Sequence, residues 1–337
     1  MRKFGMIVFV ILLLAMTGCS GQTSTEVQKE GAKNNKSSIS IGVATWVGYG
    51  PLYIAQEKGY FKKNGINVDL MKMESNTDRR TALSANRIQG FASTVDTHVV
   101  TAASNVPVVQ VVALDESHGG DGIVAKKEIK SLQDLKGKRV AVQTDGGASF
   151  FWFLYLLKQE GIDFKEIDAQ NMTAGDAGAA FVANKVDAAV TWEPWLTKAK
   201  DTNFGSVLIK SDASPGVITS TIAMRQDFTK ENPKAVKALV KSWFEAIEFY
   251  KTNPEEALKI MGKAMGQSPD ELEESLQGVR FYDEEGNKKY FGTKDHPGPL
   301  HELSKLGADF WRQQKLIDNE PNIDEIIDYS FVHMDVK

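Results

Sequence analysis

Cysteine is almost absent from this chain of 337 residues, which contains only one, Cys19. A single cysteine excludes a disulfide within the chain, and no Cys/His spacing typical of a zinc site is present. The sequence also lacks a glycine-rich phosphate loop with a lysine, a nucleophile-elbow serine and an HExxH motif. We therefore expect no metal site, no cofactor and no enzymatic activity.

Basic residues and long apolar runs are scarce as well. The chain has 40 lysines and arginines against 44 aspartates and glutamates, and the net charge of −4 argues against nucleic acid as a partner. No apolar run beyond the N-terminal region is long enough to span a bilayer, and no repeat of about 33–47 residues is found. The composition is ordinary for a soluble globular protein, and the length suits one large or two medium domains.

The N-terminal region predicts a secreted lipoprotein. Two basic residues precede an apolar stretch at residues 6–16, which is too short to span a bilayer as a mature helix. The stretch ends in the sequence MTGC, which resembles a bacterial lipobox, so we expect a signal peptide over residues 1–19 and a lipid on Cys19. The polar residues 20–37 predict a flexible tether. Together these features predict an extracytoplasmic protein that is anchored to the cell membrane by its lipid.

From residue 38 onward, short apolar segments alternate with segments of helical periodicity, which indicates an α/β fold. The β-branched run at residues 107–114 predicts a buried parallel strand. From Asn232 the pattern is helical to the end of the chain, apart from a charged segment at residues 281–291 that predicts a loop. An apolar stripe between Val236 and Ile247 predicts a core-facing helix rather than a binding surface.

The sequence AAVTWEPW at residues 188–195 predicts a junction between a buried strand and a helix. Pro194 has the φ angle suited to the first turn of the following helix. In open α/β sheets, ligands bind outside the carboxyl ends of the strands. Trp192 and Glu193 are therefore candidates for ligand contact, although a packed indole and a solvated carboxylate would also fit this pattern.

Four landmarks together resemble the substrate-binding proteins of nitrate/taurine/alkanesulfonate-type ABC importers. The resemblance covers about residues 39–261. The landmarks are GYGPLYIA at 48–55 with GYFKKNGI at 59–66, GFAST at 90–94, SLQDLKGKRVA at 131–141 and WEPW at 192–195.

The resemblance implies a type II periplasmic-binding-protein fold, in which each of two lobes is a mostly parallel sheet flanked by helices and the ligand lies in the cleft between them. Lobe I would comprise residues 38–125 and 222–337, with the C-terminal helices packed on it, and lobe II residues 126–221. Hinges are expected near residues 122–126 and 219–224. The implied role is to capture a small molecule and deliver it, as a monomer, to a membrane permease that a separate ATPase drives.

The loops expected to face the cleft contain acids and aromatic residues but no lysine or arginine. Carboxylates and aromatic faces both attract cations in a site that excludes water. We therefore expect a small organonitrogen cation, with guanidinium as the best fit because it is flat, can bridge two carboxylates and can stack on tryptophan. The candidate ligand-binding residues are Trp46, Tyr49, Asp96, Asp115, Asp121, Ser149, Trp192 and Glu193.

Other ligands remain open at this point. The stretch at residues 115–124 is similar to family members linked to urea- and guanidine-type nitrogen metabolism, but the turn at 146–149 offers a helix N-terminus that suits taurine, an alkanesulfonate or nitrate. Arg79 and Arg80 follow at a helix start, and the sequence leaves open whether either enters the cleft. The aspartates could also serve as helix caps.

An enzyme is the alternative of a different class. Fungal thiamin-pyrimidine synthases share the fold implied by the resemblance, and a thiamin-precursor pyrimidine is a further candidate ligand. Those enzymes carry a cysteine-rich motif, whereas this chain has no cysteine after Cys19. We therefore expect a binding protein.

Overall fold

The computed structural model describes residues 37–333, in which strands form two mixed sheets flanked by helices. The expected signal peptide, the lipidation site Cys19 and all but the last residue of the expected tether lie outside the described residues. No helix within 37–333 combines the length and the apolar character needed to cross a membrane.

The elements alternate along the chain as an α/β fold requires. The strands are β1 (Ser37–Val43), β2 (Ile66–Lys72), β3 (Gly90–Thr94), β4 (Val108–Ser117), β5 (Asp121–Lys126), β6 (Arg139–Val142), β7 (Asp168–Asn171), β8 (Ala188–Trp192), β9 (Gly205–Lys210), β10 (Thr219–Arg225) and β11 (Val279–Phe281). The helices are α1 (Gly50–Glu57), α2 (Tyr60–Lys63), α3 (Asn76–Ser84), α4 (Val95–Ala103), α5 (Ala148–Gln159), α6 (Ala174–Val182), α7 (Trp195–Lys200), α8 (Gln226–Glu231), α9 (Pro233–Thr252), α10 (Pro254–Met265), α11 (Pro269–Leu276), α12 (Glu284–Phe291) and α13 (Pro299–Gln313).

The first sheet has the strand order β11-β4-β10-β3-β1-β2. Strand β1 runs parallel to both β2 and β3, whereas β10 runs antiparallel to β3 and β4. The expectation of a parallel strand at residues 107–114 is therefore wrong in direction, although β4 is almost wholly buried as predicted. A buried apolar run indicates that both faces are covered, and it does not distinguish a parallel neighbour from an antiparallel one.

The second sheet has the order β7-β6-β8-β5-β9, with β6 parallel to β7 and β8 and with β5 antiparallel to β8 and β9. The chain crosses between the sheets at residues 118–120, before β5, and at residues 211–218, before β10. Both crossings lie a few residues earlier than the hinges expected from the sequence. The hydroxyl of Ser211 joins the two crossings, since it lies 2.8 Å from Ser117 Oγ and accepts the backbone N–H of Gly119.

Helix α9 begins with Pro233 at its first position and buries one apolar face. Val236, Trp243 and Ile247 lie on that face in the core cluster that also contains β1. The predicted role of the apolar stripe as core is confirmed.

The charged segment at residues 281–291 is a helix for most of its length, and the predicted loop is wrong. The side chain of Asp283 caps α12 by accepting the backbone N–H of Gly286 at 2.8 Å. Lys288 then pairs with Glu284 one turn earlier, at 2.6 Å. Oppositely charged residues four apart stabilise a helix, so this charge pattern belongs to a solvated helix face.

The C-terminal helix α13 contacts both lobes instead of the first lobe alone. Its first turns pack Leu300 and Leu303 into a cluster with residues of α4. Its last turn places Trp311 against Phe150 and Phe151 of α5, with ring centroids 5.7 and 5.6 Å apart. Helix α13 therefore joins the first sheet's helices to the core of the second lobe.

Replacing Trp311 with alanine is expected to lower the free energy of unfolding by about 3–5 kcal/mol, because a fully buried indole is lost and a cavity remains. Urea denaturation followed by far-UV circular dichroism measures the change. Leu306→Ala on the same helix is the control, because Leu306 is 40% exposed and its loss should cost less than about 0.5 kcal/mol. Equal losses in both variants would show that α13 is not anchored through its last turn.

Candidate functional site

A cavity lies between the two sheets and takes its lining from both lobes. Polar and aromatic side chains make up most of the lining. The lining residues are Ala44, Trp46, Tyr49, Asn76, Arg79, Ser93, Thr94, Asp121, Gln143, Gly147, Ala148, Ser149, Trp192, Ile218 and Ser220.

Arg79 is the basic residue of this lining, and the start of α3 fixes its position. Ser75 caps the helix by accepting the backbone N–H of Asp78. Asn76 and Arg79 then share a helix face because they are three residues apart. Nη2 of Arg79 donates to Oδ1 of Asn76, whereas its Nε and Nη1 have no hydrogen-bond partner among residues 37–333. Arg79 is only 4% exposed, and burial lowers its pKa.

The N-terminus of α5 faces the same cavity. Gly146 and Gly147 precede the helix with φ angles of 93° and 103°, a conformation that favours glycine. A side chain at Gly147 would also collide with Nδ2 of Asn76. The first N–H groups of a helix and its dipole attract anions. The buried guanidinium of Arg79 lines the same cavity as this helix start. The Ser149 hydroxyl lines it too and has no hydrogen-bond partner among the described residues. This part of the cavity is suited to an oxyanion.

Trp46, Trp192 and Tyr49 form the aromatic part of the lining. The indole rings of Trp46 and Trp192 meet edge to face with centroids 6.2 Å apart. Nε1 of Trp46 donates to Oδ1 of Asp115 at 2.8 Å, which fixes the orientation of this ring. Burial raises the pKa of Tyr49 well above its usual value, and the carboxylates of Asp115 and Asp121 act in the same direction.

Asp121 is the acid of the lining. It is the first residue of β5, where it pairs with Trp192 of β8, and its backbone N–H donates to Oγ of Ser117. The side chain is 2% exposed, and within residues 37–333 its Oδ1 has no hydrogen-bond partner. Burial raises the pKa of Asp121 to about 7, against an opposing contribution from Ser117.

Five of the eight predicted site residues line the cavity, namely Trp46, Tyr49, Asp121, Ser149 and Trp192. The other three predicted residues, all carboxylates, do not belong to the lining. Asp96 accepts the Thr94 hydroxyl at 2.6 Å, and burial raises its pKa to about 6. Glu193 accepts the backbone N–H of Thr197 and so caps the first turn of α7.

Asp115 is the third of these carboxylates. Its Oδ1 accepts hydrogen bonds from Trp46 and, at 3.3 Å, from the hydroxyl of Ser220. Burial is the largest cause that raises the pKa of Asp115 to about 7. Asp115 thus positions the cavity wall from behind, since it contacts two lining residues without belonging to the lining itself.

The lining does not support the guanidinium prediction. That prediction was based on strand-end loops without lysine or arginine, whereas Arg79, which lies at a helix start, lines the cavity and would repel a simple cation. The adjacent Arg80 does not belong to the lining, because its Nη2 donates to Thr77 Oγ1 and to the carbonyl of Asp145. Sequence reasoning left the position of Arg79 open and missed Asn76, because both lie in the first turn of a helix rather than in a strand-end loop.

Contacts between α3 and the turn before α5 hold the lobes together at the cavity. Nδ2 of Asn76 donates to the carbonyl of Gly146 at 2.9 Å, and the hydroxyl of Thr77 donates to Asp145 at 2.8 Å. With Trp46 against Trp192, these contacts place the two lobes in a closed arrangement around the cavity.

Comparison with protein families finds a match to the family described as "NMT1/THI5 like" over residues 46–257, which is more than half of the chain. Among curated proteins, the taurine-binding periplasmic protein of Escherichia coli K12 is 28% identical over 226 residues, covering 66% of this chain and 70% of that protein.

Solved structures show the same fold. The periplasmic aliphatic sulphonate binding protein SsuA of Escherichia coli has a TM-score of 0.71 at 20% identity and covers 88% of this chain and 99% of that one. The periplasmic nitrate-binding protein NrtA of Synechocystis PCC 6803 has a TM-score of 0.70 at 20% identity, with coverages of 88% and 87%. The predicted two-lobed binding-protein fold is confirmed.

Replacing Asp115 with asparagine is expected to stabilise the protein at pH 8 and to have little effect near pH 4. The native state holds the Asp115 proton more tightly than the unfolded chain does, because burial raises the pKa from 3.8 to about 7. Wild-type stability therefore falls by roughly 4 kcal/mol as the pH rises from about 4 to about 7, and it stays low above that. This free energy corresponds to the pKa difference of about three units between the native and unfolded states. Asparagine removes this loss while it retains an oxygen that accepts from Trp46.

Urea unfolding at pH 4.5 and pH 8 measures the difference between the wild type and Asp115→Asn. Asp69→Asn is the control, because Asp69 is exposed on β2 and its replacement should shift stability equally at the two pH values. A loss of stability in Asp115→Asn that is the same at both pH values would contradict the expected titration.

Proposed function

The chain belongs to the NMT1/THI5-like family, and on that premise we propose that it is the extracytoplasmic solute-binding component of an ABC importer for a small oxyanion-bearing solute. The similar proteins support this class, since they are named as binding proteins for taurine, aliphatic sulphonate and nitrate. These names also favour binding over catalysis.

The observation that carries this proposal is the buried guanidinium of Arg79 in the interlobe cavity. A buried charge without a partner costs several kcal/mol, and an anion that pairs with it offsets part of this cost on binding. Nε and Nη1 of Arg79 have no hydrogen-bond partner among residues 37–333, so each can donate a charge-assisted hydrogen bond to an oxygen of a sulfonate, nitrate or similar group. Ser149 and the N-terminus of α5 supply further donors to the same anion.

Binding is coupled to the hinge between the lobes. Arg79 lies in the first lobe and the α5 N-terminus in the second, so an anion that contacts both stabilises the closed state over the open one. We propose that the closed form docks on a permease as a monomer, and that a separate ATPase supplies the energy. The lipobox-like sequence ending at Cys19 supports a lipid anchor on the outer face of the membrane, with residues 20–37 as the tether.

Replacing Arg79 with glutamine is expected to weaken binding of ethanesulfonate and 2-aminoethanesulfonate by about 30- to 1,000-fold, since a charge-assisted pair worth roughly 2–4 kcal/mol is lost. Isothermal titration calorimetry on the full chain in detergent measures the affinities, with nitrate as a third ligand. Arg87→Gln is the matched control, because Arg87 is exposed just after α3.

Two outcomes would contradict the proposed function. In the first, Arg79→Gln binds the oxyanions as tightly as Arg87→Gln does. In the second, the unmodified chain binds methylguanidinium and none of the three oxyanions, which would show that the acids rather than Arg79 select the ligand.

A further inference from the structure

We propose that Asp121 is a specificity-determining residue that selects a dipolar ligand, one that carries an amino group as well as the oxyanion held by Arg79. This inference rests on the proposed function. It adds a second recognition point to the same cavity and predicts that a plain anion is a poor ligand for this chain.

Two opposite charges line one cavity without pairing to each other. Arg79 and Asp121 each take part in no ion pair within 4.0 Å among residues 37–333, and each has a side-chain atom without a hydrogen-bond partner there. Both side chains are at least nine-tenths buried. A simple oxyanion would satisfy Arg79 and leave the carboxylate of Asp121 buried and unpaired in the same cavity. A ligand with a cationic group satisfies both.

The surroundings of Asp121 suit an ammonium group. Its strand neighbour is Trp192, and Trp46 meets Trp192 edge to face in the same lining. Indole faces attract cations, and they exclude water from the carboxylate. Gly120 precedes Asp121, and a side chain there would lie 2.7 Å from the ring of Trp46, so glycine lets this ring pack beside the start of β5.

Tyr49 lines the cavity together with Arg79 and Asp121. Burial is the largest effect on the pKa of the Tyr49 hydroxyl, which Arg79 lowers and Asp121 raises.

A different role for Asp121 makes a different prediction. A protonated Asp121 could donate a hydrogen bond to the anion itself, and an amino group on the ligand would then add nothing. Asparagine also donates, so Asp121→Asn would keep its affinity for a plain sulfonate under either role. The two roles differ in the affinity that Asp121→Asn has for the ligand that carries the amine, which falls only if Asp121 binds the amino group.

The test compares 2-aminoethanesulfonate with ethanesulfonate, which share the sulfonate and the two-carbon chain, on the full chain in detergent at pH 7.5. Isothermal titration calorimetry measures the affinities. The unmodified chain is expected to bind the amino ligand about 30-fold or more tightly than ethanesulfonate. Asp121→Asn should reduce this ratio to within about threefold, mainly by weakening the amino ligand. Asp212→Asn is the matched control, because Asp212 is an exposed acid in the connection before β10 and should leave the ratio unchanged.

Equal affinity for the two ligands in the unmodified chain would overturn the inference without the use of any variant. Equal weakening of both ligands in Asp121→Asn, with Asp212→Asn unaffected, would also overturn it by showing a merely structural role. The proposed function survives either result if Arg79→Gln still weakens both sulfonates. Failure of both ligands to bind the unmodified chain would overturn the inference and the proposed function together.

Discussion

Removing a charge from water without giving it a partner costs several kcal/mol, and this constraint governs the cavity between the two lobes. Arg79 and Asp121 are both buried there, and neither forms an ion pair within the described part of the chain. The burial cost falls on the closed state of the protein, and a ligand that pairs with the two charges offsets the cost in that state. A few kcal/mol of differential binding is enough to move a two-state equilibrium by a factor of 100 or more, so closure can follow occupancy of the cavity.

The connections between the lobes decide how such a closure can happen. The two crossings lie side by side and share the hydroxyl of Ser211, so they act as one narrow joint. Helix α13 is a third connection, because it packs on α4 of the first lobe and on the aromatic cluster of α5 in the second. Opening the cavity must either carry α13 with one lobe or slide it against the other, and the fully buried Trp311 makes the second contact a tight one.

Local pattern predicted most of the fold, because short apolar segments and helical periodicity are properties of neighbouring residues. The direction of β4 could not be predicted, since it depends on β10 returning from the second lobe to pair beside it. The aromatic and small-residue parts of the site were also accessible, because the segments that carry Trp46, Trp192 and Ser149 follow strands. The role of Arg79 was not accessible from the sequence, because it depends on how α3 is rotated about its axis. Ser75 caps this helix, and a hydrogen bond from Arg79 to Asn76 orients the guanidinium.

The four candidate carboxylates show why a count of charges does not identify a ligand. What a buried carboxylate can do depends on which of its oxygens already accept hydrogen bonds, and this differs among Asp96, Asp115, Asp121 and Glu193. Glu193 is used by a helix start and Asp96 by a hydroxyl beside it. Asp115 holds Trp46 in the cavity wall, so it shapes the surface that meets the ligand without itself lining the cavity. Asp96, Asp115 and Asp121 each keep one oxygen without a hydrogen-bond partner among the described residues, but of the four carboxylates only Asp121 lines the cavity, and for this reason we assign to it the recognition of a second group on the ligand.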